Sequence, residues 1–225
     1  MTQSSVAPAV SAPRHDFAVV SSDDIYTGKV LAVRRDDVRM PGGGTSVREI
    51  MEHAGAVAIA ALDADDRLMM IYQYRHALER RLWEMPAGLL DVAGEPAVET
   101  AKRELAEEVG LAADEWSVLI DVAPTPGFSD ESVRVFLATG LHDVGRPDLG
   151  ADDEEADLET HWIPLADAVA MVFEGTIVNS SCVAAVLAVH AVRTGAAHAR
   201  PVDAPWPDRP TRFAARKGQP GRQAV

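Results

Sequence analysis

The feature that most constrains this chain is a helical segment that combines a buried apolar stripe with a dense acidic face. The pattern predicts a helix from Pro96 to Val109, and its apolar residues recur three and four positions apart, at Val98, Ala101, Leu105 and Val109. Glu104, Glu107 and Glu108 stand at i, i+3 and i+4, so they share another face of the same helix. Such carboxylates repel one another unless a cation offsets their charge.

A hard divalent cation is the partner that such a face favours. Mg²⁺ takes oxygen ligands, and it is usually bound by few protein carboxylates together with substrate phosphate. Glutamate in place of histidine or cysteine argues against a structural zinc site. The competing interpretation is a solvated acidic helix face that binds nothing.

Composition limits the class of protein. The 225 residues include 35 acidic and 21 basic side chains, and the net charge of −14 argues against nonspecific binding to nucleic acid or to anionic membrane. The single cysteine, Cys182, excludes an intrachain disulfide and fits a reducing cytoplasm. The chain begins without a signal-peptide core, and its longest apolar run, Cys182 to Val189, is too short to span a bilayer. We therefore expect a cytoplasmic protein.

Patterns along the chain predict an α+β fold in four parts. Residues 1–14 are rich in Ala, Ser and Pro and indicate a flexible arm, and residues 15–52 indicate a small antiparallel β unit. Residues 53–199 form the main domain, which mixes strands and helices without βαβ regularity. Residues 200–225 are Pro-rich and basic, and we expect an extended tail on the surface.

The main domain contains recognisable strands and helices. The apolar runs Gly55–Leu62 and Leu68–Tyr74 flank a short turn and predict a hairpin of two buried strands. A loop is predicted from Met85 to Gly94, just before the acidic helix. Two more strands and two more helices are predicted at Trp116–Val122, Val133–Thr139, Leu165–Phe173 and Ser180–Val192.

The segment around the acidic helix resembles the Nudix box. That family pattern is Gly, five residues, Glu, seven residues, then Arg-Glu-aliphatic-x-Glu-Glu-x-Gly-aliphatic. Here Arg103-Glu104-Leu105-x-Glu107-Glu108-x-Gly110-Leu111 matches its second half, and Glu95 stands eight residues before Arg103. Six residues separate Gly88 from Glu95, so the loop is one residue longer than the family pattern.

The resemblance implies a Nudix-type α/β/α sandwich of mixed sheet and helices, and a hydrolase that uses Mg²⁺, or Mn²⁺, with more than one ion per site. Glu104 and Glu108 would be the first metal ligands and Glu107 the third, with the main-chain carbonyl of Ala87 joining them. The alternative for any one of these glutamates is a hydrogen bond to a metal ligand instead of a bond to the metal itself. Arg103 would contribute to catalysis by orienting the carboxylates of the site through a bidentate pair, and Glu95 is one candidate partner.

Hydrolysis of a diphosphate also needs a group that accepts a proton from water. The family often supplies this carboxylate from a loop far along the chain, and the acidic stretch Asp152–Glu159 is the candidate here. Within it the resemblance favours Glu155, with Glu154 next. The competing interpretation is an ordinary solvated acidic loop.

The flanking segments resemble ADP-ribose pyrophosphatases within the family, in particular the actinobacterial type. These segments are Tyr72–His76, Trp83–Gly88, the N-terminal β unit with Val47-Arg48-Glu49, and the loop Pro124–Glu131. The resemblance implies cleavage of ADP-ribose to AMP and ribose 5-phosphate, with another nucleoside diphosphate sugar as the related substrate. It also implies a homodimer whose N-terminal strands exchange between subunits.

The same resemblance suggests which residues face the substrate: Arg48, Glu49, Arg75, Gly88, Phe128, Ser129 and Asp130. An arginine can fork onto phosphate oxygens or stack on a base, although each of these arginines could instead form a surface ion pair. Two other functions stay open at this point. One is a pyrophosphatase for another ADP-sugar, a dinucleotide or an oxidised nucleotide, and the other is a non-catalytic nucleotide-binding regulator.

Overall fold

The computed structural model describes residues 15–92, 94–147 and 157–217. Within these ranges the chain forms ten strands, which are β1 Val19–Thr27, β2 Leu31–Arg39, β3 Thr45–His53, β4 Ala56–Ala61, β5 Arg67–Arg75, β6 Arg80–Glu84, β7 Ala87–Leu89, β8 Leu111–Val122, β9 Val133–Asp143 and β10 Glu159–Pro164. Its four helices are α1 Ala97–Val109, α2 Leu165–Phe173, α3 Ser180–Arg193 and α4 Arg212–Lys217. Among these helices, none is both long and apolar enough to cross a membrane.

The first three strands form a separate antiparallel sheet in the order β1-β2-β3. The turn between β2 and β3 is closed by main-chain bonds between Met40 and Gly44, where the N–H of Met40 donates to the carbonyl of Gly44 at 2.8 Å. Every residue of β1 before Thr27 is exposed, whereas β2 alternates between buried and accessible side chains. One edge of this sheet is therefore open to solvent, and it exposes Val19, Val20 and Ile25.

Two further sheets build the main domain. A mixed sheet has the order β7-β4-β9-β8, in which β4 and β9 run parallel, and an antiparallel sheet has the order β10-β5-β6. Helix α1 packs on one side of the mixed sheet, while α2 and α3 pack on the other side. This arrangement is the α/β/α sandwich that the sequence predicted.

The central strand β4 explains why the sequence shows a continuous apolar run. Val57, Ile59 and Ala61 point into the core beside α1, whereas Ala58 and Ala60 point into the core beside α2 and α3. Because helices cover both faces, alternate residues need not be polar. The sequence pattern therefore identified a strand buried on both sides.

The predicted hairpin between the two apolar runs is wrong. Strand β4 lies between β7 and β9, and β5 lies between β10 and β6 in the other sheet. The two strands meet only around the turn, where Leu62 bridges Leu68 and the N–H of Asp63 donates to the carbonyl of Arg67 at 3.0 Å. Both runs are apolar enough to be buried anywhere, so their pattern does not specify which strand each one pairs with.

The segment before the acidic helix and the C-terminal tail also differ from expectation. The predicted loop from Met85 begins with a short strand, because Ala87 pairs with Ala58 and adds β7 to the mixed sheet. The described part of the tail, residues 200–217, is not simply extended on the surface, since it includes α4 and buries Phe213, which is 1% exposed. Phe213 is the only large apolar residue of the segment 207–217, so no periodic apolar pattern marks this anchor in the sequence.

Candidate active site

Helix α1 places two glutamates in the interior and leaves the third near the surface. Glu104 and Glu108 are buried, whereas Glu107 is half-buried. The helix ends at Gly110, which adopts φ 68° and donates its N–H to the carbonyl of Ala106 at 3.0 Å. Glycine tolerates this left-handed conformation, and a Cβ there would lie 2.8 Å from the backbone nitrogen of Arg146.

Strand β7 runs directly against the buried carboxylates. The N–H of Ala87 donates to Oε2 of Glu108 at 2.8 Å. At the next position, a Cβ on Gly88 would overlap the carboxyl group of Glu104. A larger residue at position 88 would therefore displace the Glu104 side chain, and Ala87, Gly88, Glu104 and Glu108 lie close together, as the resemblance implied.

Arg103 holds the acidic face in a fixed arrangement. Its Nη1 donates at 2.8 Å to both Oε1 of Glu104 and Oε2 of Glu107, while its Nη2 lies 3.6 Å from Oε2 of Glu95. Burial alone would lower the pKa of Arg103, but the charge of Glu104 and the hydrogen bonds to Glu107 and Glu104 raise it. The candidate partner Glu95 is the most distant of the three, and it also accepts a bond from the hydroxyl of Thr100 at 2.7 Å.

The donor set suits a hard divalent cation. Two buried carboxylates, from Glu104 and Glu108, line one cavity beside a peptide strand, and oxygen donors of this kind are those that Mg²⁺ and Mn²⁺ prefer. In the part of the chain that the structure describes, no three acidic, histidine or cysteine side chains converge into a ready-made cation cage. Glu107 does not line this cavity, although Arg103 binds it at the same distance as Glu104.

The cavity beside these carboxylates has a volume of about 980 Å³ and opens to solvent. One wall consists of α1 and β7, and a second wall comes from β5 and β6 through Gln73, Arg75 and Glu84. Thr125 and Glu131 contribute from the loop between β8 and β9. A nucleotide-sized ligand fits such a volume, because small-molecule sites commonly span about 300–1,000 Å³.

Arg75 lines the cavity, as expected of a substrate-facing cation. Its Nε and Nη2 form a fork with the carboxylate of Glu84, at 2.8 Å and 2.7 Å. Glu84 is 4% exposed and also lines the cavity. Sequence analysis did not identify Glu84, although its place three residues before Ala87 was a usable signal.

Arg48 and Glu49 do not reach this cavity within one chain. Both are exposed on β3, and Arg48 donates to the hydroxyl of Ser46 at 2.7 Å and to the carbonyl of Val47 at 2.8 Å. Neither residue is among those that line the cavity.

The predicted substrate residues of the β8–β9 loop bind β3 instead of lining the cavity. The N–H of Met51 donates to the carbonyl of Phe128 at 2.7 Å, and the N–H of His53 donates to Oδ1 of Asp130 at 2.8 Å. Ser129 is buried, and its hydroxyl accepts the N–H of Glu131 at 3.0 Å. This loop instead reaches the cavity through Thr125 and Glu131, near its two ends. Spacing does not reveal which loop residues face inward.

Glu154 and Glu155 lie outside the described residues. The described chain resumes at Asp157, whose carbonyl accepts a bond from Arg81 at 3.1 Å and whose carboxylate also pairs with that arginine. Leu158, the next residue, is buried. Asp157 is thus anchored to β6.

Comparison with known proteins identifies the family. Residues 51–184 match the family described as NUDIX domain. This chain belongs to the Nudix family. Residues 18–51 match a nucleoside diphosphate sugar hydrolase N-terminal domain, which coincides with the separate three-stranded sheet of this Nudix protein.

Individual relatives place this Nudix chain more closely. It is 60% identical over 205 residues to the ADP-ribose pyrophosphatase of Mycobacterium tuberculosis, covering 91% of this chain and 98% of that protein. It is 38% identical to the ADP-ribose pyrophosphatase of Bacillus subtilis, covering 68% and 81% of the two chains. A solved ADP compounds hydrolase superposes with a TM-score of 0.70 at 23% identity, over 83% of this chain and 98% of that one, which shows the shared Nudix fold. The expected family and fold are confirmed.

Proposed function

We propose that this Nudix enzyme hydrolyses the diphosphate of ADP-ribose to AMP and ribose 5-phosphate. One observation carries the proposal: the buried pair Glu104 and Glu108 faces a nucleotide-sized cavity directly beside the close approach of Gly88. The similarity to two ADP-ribose pyrophosphatases supports ADP-ribose as the substrate. An intact set of helix carboxylates argues for catalysis over a purely regulatory role.

Metal binding belongs to the same proposal. Glu104 and Glu108 hold a divalent cation, Mg²⁺ or Mn²⁺, while Glu107 and the carbonyl of Ala87 are the further ligands when more than one ion binds. When bound, such a cation lowers the pKa of coordinated water and offsets the charge of the diphosphate. Because the chain carries a net charge of −14, an anionic substrate needs cations at the site.

The remaining groups position the substrate and move the proton. Arg103 spaces the glutamates of α1, and Arg75 presents its guanidinium to phosphate oxygens from a fixed fork with Glu84. Glu155, with Glu154 as the neighbouring alternative, accepts the proton of the attacking water. Water adds to one phosphorus of the diphosphate, the bond from that phosphorus to the bridging oxygen breaks, and AMP and ribose 5-phosphate, each with one phosphate, leave the cavity.

A second copy of this chain completes the assembly in our proposal. Strand β1 exposes Val19, Val20 and Ile25 by more than half of their surface, and such an edge is suited to burial against another subunit. Arg48 and Glu49 would then reach the partner's cavity from their exposed positions on β3. Neither nucleic acid nor membrane is required, and the cytoplasm is the compartment that suits the buried Cys182.

The test is a panel of nucleotides with Mg²⁺, including ADP-ribose, another ADP-sugar, a dinucleotide and an oxidised nucleoside triphosphate, with products separated and quantified. ADP-ribose should give the highest kcat/KM. A higher value for another compound would assign the chain to that substrate, and no hydrolysis of any compound would favour a regulator.

Removal of the metal gives the first quantitative prediction. EDTA should abolish hydrolysis, and Glu104→Gln and Glu108→Gln should each lower kcat/KM by about 100-fold or more, because each removes a charged oxygen ligand. Glu99→Gln is the matched control, since Glu99 lies on the same helix and pairs with Lys102 at 2.9 Å. Circular dichroism should show that all three variants keep the fold. Full activity of the metal-free protein would contradict the proposal.

A further inference from the structure

The C-terminal segment that follows α3 connects the main domain to the N-terminal sheet. It starts at Arg200, whose N–H donates to the carbonyl of Val118 at 2.8 Å and whose carbonyl accepts the N–H of Val118 at 2.9 Å. The guanidinium of Arg200 also donates to Oδ2 of Asp121 at 2.7 Å. This end of the segment is therefore fastened to β8.

The middle of the segment is held by a buried arginine on β9. Arg134 donates from Nη1 to the carbonyl of Ala204 at 2.8 Å and from Nη2 to the carbonyl of Pro205 at 2.9 Å. Its guanidinium lies 4.7 Å from the ring centre of Trp206, and the indole N–H of Trp206 donates to the hydroxyl of Ser132 at 2.9 Å. These contacts direct the chain along the mixed sheet toward β3.

The far end of the segment inserts into the N-terminal sheet. Phe213 is buried against Ala32 of β2 and Ala54 after β3. Arg216 bonds both carboxylate oxygens of Glu52, with Nη2 at 3.1 Å from Oε1, and donates to Oδ1 of Asp24 at 2.6 Å. Glu52 is 1% exposed, so its charge depends on Arg216 and on its other partner, Arg34.

Arg216 is linked through a few residues to a third wall of the cavity, which His53, Thr125 and Glu131 form. Glu52 precedes His53, which lines the cavity and whose N–H is bound by Asp130. The β8–β9 loop that contains Asp130 also carries Thr125 and Glu131, which line the same cavity. The arginine therefore holds the end of β3 to which this wall is attached.

We propose that Arg216 is a positioning residue for the substrate cavity. It acts through Glu52 by fixing the end of β3, and with it the β8–β9 loop from Pro124 to Glu131. The effect on catalysis rests on the proposed hydrolysis of ADP-ribose, whereas the effect on the loop does not. Loss of the Arg216–Glu52 pair should loosen the wall while the carboxylates on α1 stay in place.

The experiment compares Arg216→Met with Arg209→Met in the full-length protein. Arg209 lies on the same segment and is exposed, and its backbone N–H bonds the carbonyl of Trp206 at 3.3 Å. We measure kcat and KM for ADP-ribose with saturating Mg²⁺, together with amide hydrogen exchange. Arg216→Met should raise KM by about 3- to 30-fold with kcat changed much less, the range expected for a residue that acts through packed intermediates. Exchange should accelerate in residues 51–53 and 125–131, and Arg209→Met should match the parent.

The outcomes separate a positioning role from a structural one. Unchanged KM and unchanged exchange in Arg216→Met would overturn the proposal, and so would faster exchange spread evenly over the molecule. If Arg216→Met does not fold, the same kinetic and exchange measurements on Arg216→Lys test the proposal. Lysine keeps the positive charge but cannot form the two-pronged contact with Glu52. A raised KM with exchange confined to the wall supports the proposal, and parental behaviour refutes it. If the parent itself does not hydrolyse ADP-ribose, the proposed function fails and the exchange data alone judge the role of Arg216.

Discussion

At the scale of single residues, the three glutamates of α1 show what spacing can and cannot predict. Their positions at i, i+3 and i+4 correctly placed them on one side of the helix. Spacing could not show that β7 buries Glu104 and Glu108 while Arg103 holds Glu107 at the edge. That division depends on a strand that the sequence pattern had described as a loop.

The fork between Arg75 and Glu84 gives a prediction at this scale. In the antiparallel pair β5–β6, Glu84 stands opposite Ile71, four residues from Arg75, which is about 13 Å along a strand. The arginine side chain must therefore lie along the sheet to reach Glu84, and the pairing holds its charge at the cavity that Ala87 and Gly88 also line.

We expect Arg75→Met and Glu84→Gln to raise the KM for ADP-ribose by a similar factor, about 10-fold or more, because each removes one half of a bidentate pair. The double variant should be no worse than either single variant, since both act on the same guanidinium. Steady-state kinetics of the four proteins measures this coupling. Additive effects would show that Glu84 does not act through Arg75.

The proton acceptor gives a second prediction for single residues. The carboxylates of α1 are engaged with Arg103, Ala87 and the proposed cation, so they are poor proton acceptors and the base must come from elsewhere. Glu155→Gln keeps the size of the side chain and removes its charge, and we expect kcat to fall by about 10²–10⁴-fold with KM changed much less. Glu154→Gln should do less. A collapse of Glu154→Gln with a nearly normal Glu155→Gln would move the assignment by one residue.

At the scale of elements, sequence analysis succeeded where local signals are strong. Helix α2 has the predicted bounds, and α1 begins at Ala97, one residue after the predicted start, because Pro96 takes the cap position. Pairing between strands was less predictable, since β4 and β5 join different sheets although only a short turn separates them. Register and partners depend on contacts between distant segments, which hydrophobic periodicity does not encode.

The contact between β7 and α1 gives a prediction for these elements. Gly88→Ala should push the strand away from the helix, because a Cβ would overlap the carboxyl group of Glu104. We expect a loss of about 1–3 kcal/mol in the free energy of unfolding, as for other overpacked sites, and a fall in kcat of about 10-fold or more.

Gly42→Ala is the control for this prediction, since a Cβ at that exposed turn meets no atom within 4 Å. Urea denaturation and steady-state kinetics measure the two effects. Wild-type stability and activity in Gly88→Ala would mean that the carboxylate can move aside without cost, and that the close approach does not constrain the site.

At the scale of the whole molecule, charge and exposed apolar surface act in opposite directions. Each chain carries a net charge of −14, so two chains repel one another at low ionic strength. The N-terminal sheet nevertheless exposes Val19, Val20, Ile25, Tyr26, Val30 and Val47 by about half of their surface. An exposed strand edge with this much apolar surface favours association with a partner.

These opposing terms predict a dimer that added salt strengthens. Burial of the apolar sheet provides the attraction, and screening of like charges lowers the repulsion, so the dissociation constant should fall as the ionic strength rises. Light scattering should give twice the chain mass of 24.1 kDa at working concentration.

Ile25→Asp should shift the equilibrium to monomer, because it places a charge in the face that the dimer buries. The control is Phe173→Asp, since Phe173 is 79% exposed at the end of α2 and lies outside this sheet. A stable monomer of the parent protein, or a dimer that Ile25→Asp leaves intact, would show that this face is not the interface. Arg48 and Glu49 would then have no route to a cavity.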